Sequence, residues 1–545
     1  MDTLAIYALI MVGLFASLVA IHSLRPHFYA ITVLLSRHLT YPYIVNRHKH
    51  FGPLTRASVA LHTSYATVNV FLMFFHFISL PDSSRRAGVI AMINFILLIP
   101  TTHLSYMADI IGLSFRNCQR VHRAVGWMVI ASLVFHVAVA LITPDALTKA
   151  RTSVVGGNDQ LVARTIVIGE CPPNAATSLG VLAILALPYF RRFSYKLFLR
   201  SHQAFTITSL YGIWCHIPKD SLFSRSYLYI ALGILACTSL IQTIYFLYRN
   251  GLFSGNGTPR AVLASEIDNQ ATELRKDETE SQAQSEKLTK MCLVLPRPLD
   301  ILPGQYIKIW LPTINIWSWA QMHPFMVTSW SRQKKQQVLD LIIQPNGTLS
   351  ADLVRLNKRA GTGYTSLPAF FTGPHGINQP VGCFENILLV ASGAGIAAIV
   401  PYAKEIIHAY DTRTSNVRHV KLIWNAGSLE FVKSGSQLIN QLLEDDVPGN
   451  GYVLNISIHV EEVDVLETHF GKNRWAALYR GAPDYMRIID KVLEGDREKS
   501  AAKGAGNGRM LLVASVTDDL RDELRGTMRM YLGRRAEMIE LEYQP

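Results

Sequence analysis

Two pairs of histidines on apolar segments constrain this chain more than any other feature: His122 and His136 on one segment, His202 and His216 on another, each pair fourteen residues apart. Fourteen residues of α-helix rise about 21 Å and, at about 100° per residue, return to nearly the same helix face. Two such helices running parallel would hold two stacked His–His pairs, one toward each side of a hydrocarbon layer about 30 Å thick. Neutral imidazole is a good axial ligand for haem iron, and an ionisable group inside a membrane carries a cost that marks it as functional. The four histidines therefore predict two bis-histidine haems of the b type. Any one of them alone would read as a satisfied core histidine; four in register do not. A third pair, His62 and His76, shares the spacing but ranks lower, because no further helix offers it a matching pair.

At 545 residues the chain is too long for one domain. Its apolar runs crowd into the first half, and seven are long enough, with their flanks, to be read as membrane spans: Leu4–Leu24, Ser58–Leu80, Gly88–Ile111, His122–Ile142, Ser178–Phe190, His202–Ile217 and Tyr227–Leu247. Met1-Asp2-Thr3 lacks the basic start of a signal peptide, which favours a retained first helix with an outside amino terminus. Basic residues then orient the bundle. Arg25, Arg37, Arg47, Lys49 and Arg56 fall in the first loop, Arg116 and Arg120 in the third, and Arg191, Arg192, Lys196 and Arg200 in the fifth, on the same side as everything after residue 248. That side is expected to be cytosolic. The net charge of +12 is largely this signal and calls for no nucleic acid. The six cysteines are scattered without a C-x-x-C, so neither a disulfide framework nor a zinc site is indicated.

Past the expected transmembrane domain (residues 1–248) the composition turns to Gly, Ser, Thr, Gln and charges, which reads as a linker over 249–290. Short β-rich runs bounded by Pro and Gly follow over 291–380 and predict an antiparallel barrel or sandwich. From 381 to 545 strands alternate with Gly-rich turns and helices, as in a nucleotide-binding α/β domain. Gly495–Gly508 reads as a disordered insertion in it.

Here the chain comes to resemble a known family. His323-Pro324-Phe325-Met326-Val327-Thr328-Ser329 is similar to the H-P-F-T-x-[AS]-S flavin box of fungal ferric-chelate reductases, which are related to NADPH oxidase heavy chains. The resemblance implies Phe325 against the isoalloxazine ring, His323 toward the flavin phosphates, and Pro324 and Thr328 in the same site. A flat aromatic also offers a stacking face on physical grounds. Met326 departs from the family's Thr. Gly347 and Ser350 resemble the G-x-x-[ST]-x-x-L element that faces the flavin pyrophosphate, with Ser350 as the expected N-cap. Gly373-Pro374-His375-Gly376 looks like the G-P-Y-G turn between flavin and nucleotide domains, and Tyr543 stands near the family's flavin-covering aromatic.

The strand Ile387–Ala391 runs into Gly393-Ala394-Gly395 and a helix, an arrangement in which backbone amides meet a pyrophosphate. The resemblance adds Trp424 to this nucleotide site. The family's Arg beyond that Trp is missing from Asn425-Ala426-Gly427-Ser428, and its Cys-Gly-Pro is replaced by Ala514-Ser515-Val516. The implied architecture is an α-helical transmembrane bundle with two haems, followed by a cytosolic ferredoxin-reductase-like module made of an FAD barrel and an NAD(P)-binding α/β domain. The implied activity is electron transfer from NADPH through FAD and two b haems to an acceptor across the membrane, ferric chelates or cupric ions first. The plasma membrane is the expected site, an internal membrane the alternative. Two other readings stay open: an oxidase that makes superoxide from O2, and a transporter or receptor with an idle reductase half. Oligomeric state is not legible.

Overall fold

The computed structural model describes residues 12–13, 29–48, 52–143, 174–193, 195–217, 222–252, 257–264, 288–314, 321–333, 336–344, 348–359, 364–446, 452–461, 467–469, 475–493, 509–533 and 536–542. The expected insertion at 495–508, most of the polar stretch before residue 288, and the first expected span except residues 12 and 13 lie outside them. The chain divides into two compact units, Met1–Ile241 and Gln242–Pro545.

The first unit is helical. Side-chain caps start three of its helices: Thr55 accepts from the Ser58 N–H at α1 (Arg56–Phe74), Ser79 from Asp82 at α2 (Leu80–Leu98), and, after the short α3 (Leu104–Ile111), Ser114 from Asn117 at α4 (Phe115–Ile142). Each cap satisfies an N–H that the first turn leaves without a partner. Next come α5 (Asn174–Leu185), α6 (Tyr195–His216) and α7 (Leu222–Arg249), whose residues from Gln242 onward belong to the second unit.

Among the described residues four helices are long and apolar enough to cross a membrane: Arg56–Phe74, Leu80–Thr101, Phe115–Ile142 and Arg225–Arg249. Elsewhere the helices differ from the sequence expectation for local reasons. The second expected span stops at Phe74, leaving His76 off the helix at φ 49°. The third breaks after Leu98, where a tight turn over Ile99–His103 contains Pro100, which has no N–H to continue the ladder. α5 has only 12 residues and rises about 18 Å.

The core of this unit forms where α2 packs on α4, around Ile90, Ala91, Met128 and Val129. A closed polar chain joins α1 to α2: Tyr65 donates to Asn94 (3.0 Å), Asn94 to Asn69 (2.9 Å), and Asn69 to the Tyr65 carbonyl (2.8 Å). Such bonds hold apolar helices together where burial alone cannot.

The second unit contains two sheets. The first is antiparallel and curled, built of β1 (Arg260–Ala264), β2 (Thr289–Leu295), β3 (Tyr306–Trp310), β4 (His323–Gln333), β5 (Gln336–Ile343), β6 (Tyr364–Pro368) and β7 (Phe370–His375) in the order β6-β1-β2-β5-β4-β3-β7. Its two outer strands are consecutive in the chain. β1 lies inside the stretch expected to be linker; a five-residue strand among polar neighbours leaves little pattern to read. The last turn of α7 is tied to this sheet by Asn250, which is fully buried and exchanges two bonds with Phe371: Nδ2 donates to its carbonyl (2.8 Å) and Oδ1 accepts from its N–H (2.9 Å).

After α8 (Thr348–Arg359) and β7, the second sheet comprises β8 (Asn386–Ser392), β9 (His419–Asn425), β10 (Leu454–Val460), β11 (Glu467–His469), β12 (Ala476–Arg480), β13 (Met510–Ser515) and β14 (Ala536–Glu540). The order is β11-β12-β10-β9-β8-β13-β14, parallel except for the β11/β12 pair. β8 is buried on both faces, as a parallel strand covered by helices must be. The helices α9 (Ile396–Asp411), α10 (Leu429–Asp445) and α11 (Asp518–Tyr531) complete the layer. Tyr402 of α9 is fully buried, and its hydroxyl accepts from the Gln379 N–H at 3.3 Å. Burial pushes that phenol up to about 12.

Candidate functional site

The four histidines meet in the pairs their spacing requires. His122 faces His202 with ring centroids 6.3 Å apart and planes at 66°; His136 faces His216 at 6.2 Å and 83°. α4 and α6 therefore run parallel, and the rings meet although α4 packs chiefly on α2 and α6 on α5. A metal–imidazole bond of about 2.0–2.1 Å, with the ring centre about 1.1 Å behind the nitrogen, puts two rings on opposite sides of one metal roughly 6.2–6.4 Å apart. Both pairs have that separation.

Two of the four rings have their Nδ1 atoms held by neighbouring groups. Nδ1 of His122 lies 2.7 Å from the Thr101 hydroxyl, and Nδ1 of His136 lies 2.9 Å from the Ser84 carbonyl and 3.2 Å from its hydroxyl. Fixing Nδ1 presents Nε2 to the opposite ring. Nδ1 of His202 is buried without a partner among the described residues. Gly88 packs beside His136, where a Cβ would make an ordinary van der Waals contact at 3.5 Å. Thr101 and Ser84 escaped the sequence reading, because contacts across 21 and 52 residues leave no local pattern. The other pair, His62 and His76, does not form such a site: both lie exposed on the outside of the bundle, and His62 spends its Nδ1 on the Ser58 carbonyl at 2.6 Å.

In the second unit β4 carries the expected flavin box. His323, Pro324 and Phe325 are half-buried, with Phe325 against the barrel core. Met326 is 4% exposed and packs with Tyr306, Ala398 and Leu541, so it fills the seam between barrel and α9. Thr328 is fully buried, and its Oγ1 has no partner among the described residues. A buried hydroxyl left unpaired costs roughly 1–3 kcal/mol, and a polar ligand would satisfy it. Gly373 and Gly376 have φ of 114° and 104°, and a Cβ on them would meet the Tyr306 and Gly304 carbonyls at 3.1 and 3.0 Å. Only glycine fits that turn against β3. α8 begins at Thr348, so Ser350 belongs to its first turn rather than capping it. Gly347 and Tyr543 lie outside the described residues.

The strand order of the second sheet reverses between β8 and β13, and ligands of open α/β sheets bind at the carboxyl ends of the strands flanking such a reversal. Gly393 and Gly395 lie there. Gly393 has φ 49° with open space around its Cα, whereas a Cβ on Gly395 would sit 2.0 Å from the Ser515 carbonyl. α9 follows at Ile396, and the N–H groups of its first turn lack partners within the helix. Trp424 is fully buried, donates its indole N–H to the Gly393 carbonyl at 3.0 Å, and is backed by Gly435, where a Cβ would come within 2.5 Å. It acts on the loop from beneath and offers no surface of its own. Beyond it Gly427 is exposed, Ser428 caps α10, and Glu430 is the charge in the first turn. At the ends of β10 and β12, His459 stacks on Tyr479 at 5.2 Å. Burial, then nearby Lys421, lower the affinity of that imidazole for a proton, against a bond to the Gly481 carbonyl.

Three family models match the chain: the ferric reductase like transmembrane component over residues 87–213, an FAD-binding domain over 281–379, and the ferric reductase NAD binding domain over 384–470. A probable cell surface ferric reductase of Aspergillus oryzae is 23% identical over 65% of this chain and 44% of its own length. Ferric/cupric reductase transmembrane component 2 of Saccharomyces cerevisiae is 23% identical over 58% of this chain and 39% of its own. Ferric reduction oxidase 5 of Arabidopsis thaliana is 22% identical over 60% and 40%. The chain thus spans about four tenths of the length of these relatives. With transmembrane, FAD-binding and NAD-binding modules matched in turn along it, the chain is a membrane protein that carries ferric reductase-type domains and is similar to these ferric reductases.

Proposed function

We infer that the chain is an oxidoreductase that carries electrons from a cytosolic reduced pyridine nucleotide across a membrane to a ferric chelate or a similar one-electron acceptor. The observation that carries this reading is the pair of ring separations, 6.3 and 6.2 Å, each suited to one iron between two imidazoles. His122 and His202 would hold the inner haem, His136 and His216 the outer one. Bound FAD and haem supply the redox chemistry, turning the two electrons of a hydride into single electrons and passing them on.

The chain's own residues bind and orient. Thr101 and Ser84 fix the imidazole nitrogens. Phe325 offers a stacking face, Thr328 a hydroxyl, His323 and the first turn of α8 at Ser350 polar contacts, and Gly373 and Gly376 a close turn for FAD. Gly393 and Gly395, braced by Trp424, present the helix start to the nucleotide pyrophosphate. NADPH is the expected donor and the plasma membrane the expected location.

An absorption spectrum of the purified full chain before and after NADPH tests this. The spectrum of two low-spin haems and flavin is expected, with the flavin bleached and the haem bands shifted to their reduced form by NADPH and both changes reversed by ferric citrate. Protein free of flavin and haem would support a transporter or receptor instead, and superoxide formation with no ferric reduction an oxidase. His136→Ala and His216→Ala should each lose one haem and keep flavin.

A further inference from the structure

The last turns of α7 meet the barrel through arginines stacked on tyrosines. The candidate membrane span ends at Arg249, so Tyr245, Tyr248 and Arg249 stand at the depth of the lipid headgroups, where tyrosine rings collect. Tyr245 is 48% exposed and Tyr248 62%. Arg249 lies over the Tyr245 ring at 5.1 Å and donates to the Gly373 carbonyl. Arg297, on the loop that follows β2, lies over the Tyr248 ring, its guanidinium carbon 4.0 Å from the centroid. Asn250, bonded twice to Phe371, fixes the end of the helix against the sheet. The stack of Arg297 on Tyr248 is therefore built into the fold.

Stacking uses a face of the guanidinium and leaves its N–H groups directed along the plane. Arg297 is half-buried and makes no ion pair among the described residues, and its Nη1 has no hydrogen-bond partner among them. Asp300, on the same loop, is exposed and pairs with no cation among the described residues. A cation at the headgroup level without a carboxylate beside it attracts an anion. The bilayer supplies one at that depth: the phosphate of a phospholipid, whose two free oxygens suit the planar fork of arginine. Arg249, next to Tyr248 in the helix, adds positive charge, which favours a headgroup that brings no cation of its own. We propose that Arg297, on its Tyr248 platform, binds the phosphate of an anionic glycerophospholipid in the leaflet next to the flavin module.

The test uses the full chain with its flavin and haems in a non-ionic detergent, titrated with dioleoylphosphatidylglycerol or dioleoylphosphatidylcholine, with bound lipids counted by native mass spectrometry. One cation near the headgroups is worth about fivefold in affinity for an anionic lipid. Arg297→Gln should therefore raise the Kd for phosphatidylglycerol roughly fivefold and leave that for phosphatidylcholine within about twofold. Arg297→Lys keeps the charge without the planar fork and should fall between wild type and Arg297→Gln; it takes the place of the glutamine variant if that one loses its flavin. Arg418→Gln, which removes an exposed cation beside β9, should change neither affinity, and excess inorganic phosphate should not displace the lipid. Equal losses for the two lipids, an equal loss in Arg418→Gln, displacement by inorganic phosphate, or unchanged phosphatidylglycerol affinity in the Arg297 variants would each overturn the proposal.

Discussion

The indole nitrogen of Trp424 lies 3.0 Å from the carbonyl oxygen of Gly393, so a side chain with no exposed surface sets the turn of the strand beside it. Trp424→Phe keeps most of the packing and deletes the bond. A neutral hydrogen bond contributes about 0.5–1.5 kcal/mol, so nucleotide affinity should fall about two- to tenfold while flavin content stays whole. Fluorescence titration with NADP+ decides it; unchanged affinity would show that the brace does not reach the ligand.

The two histidine braces differ in kind. His122 leans on a hydroxyl, Thr101, whereas His136 also has the Ser84 carbonyl, which no substitution of that side chain removes. Thr101→Val should therefore lower haem retention at its site, by up to the ten- to hundredfold in affinity typical of such second contacts, and Ser84→Ala should do little. Haem content by pyridine haemochrome, with redox titration to tell the two sites apart, checks the contrast.

Two glycines of one loop should respond unequally. Gly395→Ala drives a methyl to 2.0 Å from the Ser515 carbonyl, while Gly393→Ala meets open space at φ 49° and bears only the left-handed penalty of about 1–2 kcal/mol. Nucleotide binding should be lost in the first and weakened in the second. Equal losses, measured as Kd for NADP+, would contradict the geometry.

Tyr402 makes the second unit sensitive to alkali. Its phenol is pushed up to about 12 by burial, above the ordinary value near 10. A raised folded value favours the protonated form in the native state, so its contribution to stability is complete below about pH 10 and is lost as pH rises toward 12. Denaturation of the full chain followed by flavin release should show a fall in stability over that window, shallower in Tyr402→Phe.

Donor choice should be loose. Discrimination of NADPH from NADH needs a cation on the 2′-phosphate, worth about ten- to a hundredfold, and no cation stands between Asn425 and Val432, where Glu430 occupies the first turn of α10. A kcat/KM ratio above about a thousandfold would mean that another residue, Lys433 or Arg480, supplies the contact.

The two histidine pairs and the order of modules are legible because helical periodicity and short loop motifs are local codes. What escaped the sequence was everything made by approach. Thr101 meets His122, Asn250 meets Phe371, and the Gly435 backbone meets the Trp424 ring only after the chain folds, and nothing in the spacing of those residues announces it. β1 was missed because five residues give too few alternations, and the end of α1 because His76 is as compatible with an apolar helix as Phe75. Trp424 enters the sequence reading through the family resemblance; that it is fully buried and donates its indole N–H to the Gly393 carbonyl is visible only in the fold.

Asn250 gives the junction after α7 an unusual character. Its carboxamide reproduces the donor and acceptor of a peptide group, so β7 has at Phe371 a partner one residue long. A full strand ladder can slip by two residues and recover its bonds; a single rung has no alternative register. That rung is accordingly either made or broken: a shift of Asn250 by even one residue loses both of its bonds to Phe371 together.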